Sequence, residues 1–133
     1  MRFTKITIIQ TRISEHHNIN EELQWLGGSL GLFNPRDKDK SCFRIFIALV
    51  QALKSGRGYS SDELASKLSL SRGTVVFHLN KLMQSGIVTS ERNKYFLAVD
   101  NLEQLVDLVK ENLSKTCDKI KEVAQDIDKK LEL

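Results

Sequence analysis

From Ser60 onward the apolar positions change period twice. Leu64, Ala65 and Leu68 recur at the three-and-four spacing of one helix face, and Ser60 with Glu63 three residues later has the form of a capping box, so a helix is predicted to start near Ser61. Ser69-Leu70-Ser71 breaks that period with residues that favour turns and caps, and Ser71 is placed to cap a second helix. That helix, from Arg72 to Ser85, carries Val75, His78, Leu79 and Leu82 on one face and closes at Gly86. Its opposite face is Gly73, Phe77, Asn80 and Gln84, flanked by Thr74, Val76 and Lys81. Ile87 and Val88 then lead into the polar turn Glu91-Arg92-Asn93-Lys94, after which Tyr95, Leu97 and Val99 alternate with Phe96 and Ala98 as a strand does.

Further along, the period changes again. Leu102, Val106, Val109, Leu113, Thr116, Ile120, Val123 and Ile127 step by four and three in alternation, a heptad seam of nearly four repeats with Lys and Glu outside it. A stripe that long exceeds what a small domain can cover, so a second copy of the helix is the expected partner, with packing back on its own domain as the alternative; Thr116 weakens the seam slightly. Upstream, Ser41 to Ser55 reads as a helix that is apolar nearly all round, one side for the core and the other for a dimer interface. The charged stretch Asn34 to Lys40, with Pro35, reads as a linker or turn. Among the first 33 residues, Thr4 to Ile9 has a strand pattern, and Asn20 is a candidate cap for a short helix bearing Leu23, Leu26 and Leu30, interrupted by Gly27, Gly28 and Gly31. Trp25 reads as a packing anchor ahead of a pocket wall. The expected fold is mainly α with a small β-hairpin wing: an N-terminal strand and helix extension over 1–36, a winged helix-turn-helix domain over 37–99, and a C-terminal coiled-coil dimerisation helix over 100–133.

An exposed Phe77 beside Val76 on the second helix fits the reading of thymine methyls and base edges when such a helix enters a major groove. Gly73 would admit the duplex backbone, the amides near Ser71 would take a phosphate, and Arg72 would reach a phosphate or a guanine. Exposed apolar residues also serve ordinary surface or partner packing. The run from Ser61 to Val88, with its Glu63-Leu64-Ala65 opening, Leu70-Ser71 turn, His78-Leu79 pair followed by Leu82, and Gly86 before the hairpin, resembles the helix-turn-helix of ArsR-like transcriptional regulators of archaeal and bacterial type. The resemblance covers about forty residues and implies a DNA-binding dimer. It departs from the metal-sensing members, which carry a cysteine pair before the turn or His and acidic ligands on the last helix. Here Glu63-Leu64-Ala65-Ser66-Lys67 has no thiol, no histidine follows His78, and Cys42 and Cys117 lie in different elements. No metal and no cofactor are expected. His16-His17 reads as surface, and His78 as a satisfied, semi-buried imidazole.

The chain of 133 residues, 41% apolar and 28% charged, has ordinary globular composition. Residues 100–133 hold nine acidic and six basic side chains, so residues 1–99 carry a surplus of six positive charges against a net of +3 for the whole. No run reaches membrane-spanning length, the N-terminus is too polar for a signal sequence, and two separated cysteines fit a reducing cytoplasm, in which Asn112-Leu113-Ser114 would not be glycosylated. No catalytic constellation is present, and Gly27-Gly28-Ser29 is a poor phosphate loop. The expected activity is therefore regulation rather than catalysis, with double-stranded DNA and a second copy as partners and any effector unspecified. Residues 71–85 would enter the major groove and the 91–95 wing would lie on the backbone. Ser71, Arg72, Gly73, Thr74, Val76, Phe77, Lys81, Arg92 and Lys94 are the candidate DNA contacts. A winged-helix protein-interaction module and a chromatin-like binder without sequence preference are the alternatives.

Overall fold

The computed structural model describes residues 7–8 and 18–133. His16-His17 lie outside the described residues, as does the strand expected over Thr4–Ile9 apart from Thr7 and Ile8. Five helices and one hairpin follow in order: α1 (Ile19–Ser29), α2 (Ser41–Gln51), α3 (Ser61–Leu68), α4 (Arg72–Gln84), β1 (Val88–Glu91), β2 (Lys94–Leu97) and α5 (Leu102–Leu131). This is the mainly helical, winged helix-turn-helix arrangement that the apolar periods predict.

Local chemistry sets most helix ends. Asn18, not Asn20, caps α1, accepting the Glu21 amide at 2.9 Å. Ser60 and Glu63 form the full capping box of α3, and Ser71 caps α4 by accepting the Thr74 amide at 3.1 Å. Gly86, at φ +81°, follows α4 in the left-handed region where a side chain would be strained. The helix expected to run to Ser55 tightens into a 3₁₀ turn over Ala52–Ser55. Helix α2 has an unusual start. Lys40 takes φ 53° there, and the Asp37 carboxylate reaches forward to accept the amides of Ser41 and Cys42, each at 3.0 Å.

One core runs through the expected domain boundaries. Ile45, Phe46 and Leu49 of α2 meet Leu64 of α3, Val75, Leu79 and Leu82 of α4, Ile87, Val88 and Leu97 of the wing, and also Leu32 upstream and Leu105 and Val109 of α5. Burial of these side chains, worth about 1.5–3 kcal/mol each, is the main term holding the three segments together. The second side of α2, expected at a dimer interface, is partly covered within the chain, with Phe43, Ile47 and Val50 half-buried. Phe43 stacks on Phe33 with ring centroids 4.9 Å apart, and Gly27 of α1 comes so near that an added Cβ would lie 2.7 Å from the Phe43 ring. Gly27 and its neighbours thus permit close helix packing and are no defect in α1.

The apolar stripe of α5 divides. Leu105 and Val109 are buried and Leu102 packs on the core, while Val106, Leu113, Ile120, Val123 and Ile127 are exposed. Asn112 faces the wing domain too, its amide 2.8 Å from where a Cβ on Gly86 would sit. Leu105, absent from the expected seam, is fully buried because it stands between Leu102 and Val109 on the inward face.

Candidate nucleic-acid interface

Helix α4 is held by its inward face, so its outward face is set by default. Val75, His78, Leu79 and Leu82 are buried as the period requires. Ser71, Arg72, Gly73, Phe77, Asn80 and Gln84 are exposed, with Thr74, Val76 and Lys81 half-buried. Phe77 is 60% exposed, edge-on to His78, with the Lys81 ammonium 5.8 Å from its ring centroid. A large aromatic so placed contributes little to the core and presents an apolar surface beside a cation. Nothing lies within 4 Å of a Cβ built on Gly73, so that end of α4 is open to close approach.

The wing is a tight hairpin. Val88 pairs Leu97, Thr89 pairs Phe96, Ser90 pairs Tyr95 and Glu91 pairs Lys94, which leaves Arg92 and Asn93 as the two-residue turn. Both take positive φ, 52° and 64°, the conformation of a type I′ turn that matches strand twist. Asparagine suits it, whereas arginine is unusual there and its side chain stands at the exposed tip. The strand expected to reach Val99 ends at Leu97: the Ala98 amide still bonds in register to the Ile87 carbonyl at 2.9 Å, but the Ile87 amide is taken by the Leu82 carbonyl of α4 at 3.0 Å, which closes the ladder. Tyr59 extends the sheet by exchanging both backbone bonds with Tyr95, at 3.2 and 2.7 Å. The apolar pattern gave no sign of this third partner, since one residue carries no period.

Glu63 joins α3 to the wing electrostatically. Its carboxylate closes the capping box and also accepts from Lys94 of β2 and from Arg57, at 3.1 Å for the latter. The Lys94 ammonium, then the Ser60 amide and Arg57, hold its carboxyl down at about 2. Lys94 therefore has an intramolecular partner and anchors the wing to α3, whereas Arg92 is at the tip. Arg72 lies 3.4 Å from Asp62 with both side chains well exposed, a loose pairing that a phosphate can displace.

Behind α4 the polar contacts are incomplete. His78 is only 6% exposed, its Nδ1 has no hydrogen-bond partner, and its Nε2 stands 3.8 Å from the Asp37 carboxylate. The satisfied imidazole expected at this position is not what the structure contains. Burial lowers the His78 pKa and Lys81 adds to that, against the opposing pull of Asp37. Asp37 itself, despite burial that pushes the other way, is lowered by the Cys42 and Ser41 amides. Burial pushes the Cys42 thiol up to about 11, leaving it protonated and unreactive at neutral pH. No three His, Cys, Asp or Glu side chains gather at a metal-binding spacing among the described residues.

The candidate contacts fall in two groups. Ser71, Arg72, Gly73, Thr74, Val76, Phe77 and Lys81 share α4, while Arg92 and Lys94 share the wing. Residues 39–91 match the family model of a helix-turn-helix domain. No curated protein and no solved structure matches the chain. The match ends at the first wing strand, and the hairpin after it makes this a winged helix-turn-helix domain, followed by a long C-terminal helix. No helix among the described residues is long and apolar enough to cross a membrane.

Proposed function

We propose that the protein is a sequence-reading regulator of transcription that binds duplex DNA as a homodimer, of the ArsR-like kind its helix-turn-helix resembles. The observation that carries this reading is the division of α4 into a buried face and an outward face bearing half-buried Thr74 and exposed Phe77, beside a free-standing wing tip at Arg92. In this reading α4 enters the major groove, Phe77 and Val76 meet thymine methyls, Thr74 and Arg72 meet base edges or phosphates, and Arg92 lies along the backbone. The amides at the start of α4 add a phosphate contact. Lys94 acts mainly by positioning, through Glu63.

Dimerisation is supported by the exposed part of the α5 seam, Leu113, Ile120, Val123 and Ile127, which retains its three-and-four spacing beyond the wing domain. The protein acts by binding rather than by catalysis, in the cytoplasm, and needs no metal for it. Selection from a pool of random duplexes tests the reading. The expected product is an inverted repeat with half-sites about one helical turn, roughly 34 Å, apart. Retention of duplexes with no shared sequence would favour a chromatin-like binder, and no retention at low salt a protein-interaction module.

A further inference from the structure

The loop before α2 lies alongside α4, and the two enclose an open groove of about 720 Å³. Arg36, Lys38 and Asp39 line it from the loop, and Gly73, Thr74 and Lys81 line it from the helix. The loop is built from consecutive turns. The Asn34 side chain accepts the Arg36 amide at 2.9 Å, Asp37 donates back to the Asn34 carbonyl at 2.9 Å, and Lys40 to the Asp37 carbonyl at 3.1 Å. Asp37 then caps α2 and faces His78 of α4, so the loop is fixed to the helix it flanks.

From this arrangement we infer that the 36–40 loop is a third DNA-contacting element, seating a backbone phosphate between Arg36, Lys38 and Lys81 at the edge of the α4 surface. The inference rests on the duplex-binding reading above. Charge supports it: three cations line the groove, and of the two carboxylates Asp37 is turned inward onto the Ser41 and Cys42 amides. Those bonds also occupy the first amides of α2, so the phosphate is held by side chains and not by that helix end. The groove is continuous with the outward face of α4, since half-buried Thr74 and Lys81 and exposed Phe77 belong to both. Turns already formed lose little freedom on binding, which favours a positioning role of this kind. Asp39 is exposed and lines the same groove, so it opposes the phosphate and gives the proposal a test of opposite sign.

The experiment is a salt titration of binding by the full chain to its selected duplex, for wild type, Arg36→Ala/Lys38→Ala and Asp39→Asn, with thermal melts to show that all three fold. The double variant should lower the salt slope by about 0.9 for each phosphate it no longer neutralises. Asp39→Asn should tighten binding, about two- to fivefold, by removing one exposed repulsive charge. A wild-type slope in Arg36→Ala/Lys38→Ala overturns this proposal while leaving the duplex reading intact. Failure of the wild type to bind any duplex at low salt overturns both.

Discussion

Ile120→Asp should separate assembly from folding. Ile120 is 62% exposed in the protomer, in a stretch of α5 beyond the last side chain that the core buries, Val109. Substitution there leaves the core untouched, and the intrinsic helix penalty is about 0.5 kcal/mol. In a dimer the same position is covered in both copies. Burying the exposed part of an isoleucine side chain is worth roughly 1–2 kcal/mol per copy, and a carboxylate in its place adds about 1 kcal/mol or more of desolvation. Two copies bring the total to roughly 4–6 kcal/mol, about a thousandfold or more in the dimer dissociation constant. Sedimentation equilibrium from 1 to 100 µM measures it, with circular dichroism reporting that the protomer stays helical. Val109→Asp, at a side chain buried in the core, should instead unfold the domain. A wild type that sediments as protomer at 100 µM, or an Ile120→Asp variant that dimerises as tightly as wild type, refutes the seam.

Three further outcomes follow from the electrostatics. The His78 pKa is lowered by burial, so the unfolded chain takes the proton first as pH falls below about 6.5, and stability should decline from pH 7.5 to 5.5. In His78→Leu that decline should flatten, and an unchanged urea-melt profile would contradict the assignment. Glu63, held near 2 chiefly by Lys94, contributes its pairing fully above about 4.5 and loses it as pH falls through about 2. Glu63→Gln at pH 7 should therefore speed hydrogen exchange at the wing amides with little change in α4, whereas equal exchange in both proteins would show that Lys94 does not anchor the wing. Stoichiometric zinc or a chelator should leave duplex affinity unchanged; weaker binding with zinc that Cys42→Ala restores would reveal a sensor.

What was legible in the chain was what local periodicity encodes. The Ser60–Glu63 box, the Ser71 cap, the buried face of α4 and the hairpin all depend on residues within a few positions of one another, and each formed where expected, though the second strand stops at Leu97. The cap of α1 falls two residues ahead of the expected Asn20, and only the bond from the Glu21 amide to the Asn18 side-chain oxygen shows it. Packing between distant segments left no local trace. The Gly27 approach to Phe43, the Tyr59 bridge to Tyr95 and the reach of Asp37 onto α2 all depend on how elements pack. The α5 stripe misled for a related reason: a heptad count identifies apolar positions but not which of two surfaces each will meet. Leu102 and Val109, with Leu105 between them, met the wing domain. For the candidate interface, α4 and the wing tip could be named from the chain, whereas the pairing of Lys94 with Glu63 and the position of the 36–40 loop beside α4 required the fold.

The most direct test compares Phe77→Ala with Arg92→Ala in fluorescence anisotropy, on the selected duplex and on a scrambled one of equal length. Both side chains are exposed, so neither variant should disturb the core. Phe77→Ala should reduce the preference for the selected duplex by roughly 1–3 kcal/mol while keeping the salt slope. Arg92→Ala should weaken both duplexes alike and lower the slope by about one for each phosphate that a subunit no longer neutralises. An unchanged preference in Phe77→Ala, together with abolished binding in Arg92→Ala, would contradict the claim that α4 reads the sequence.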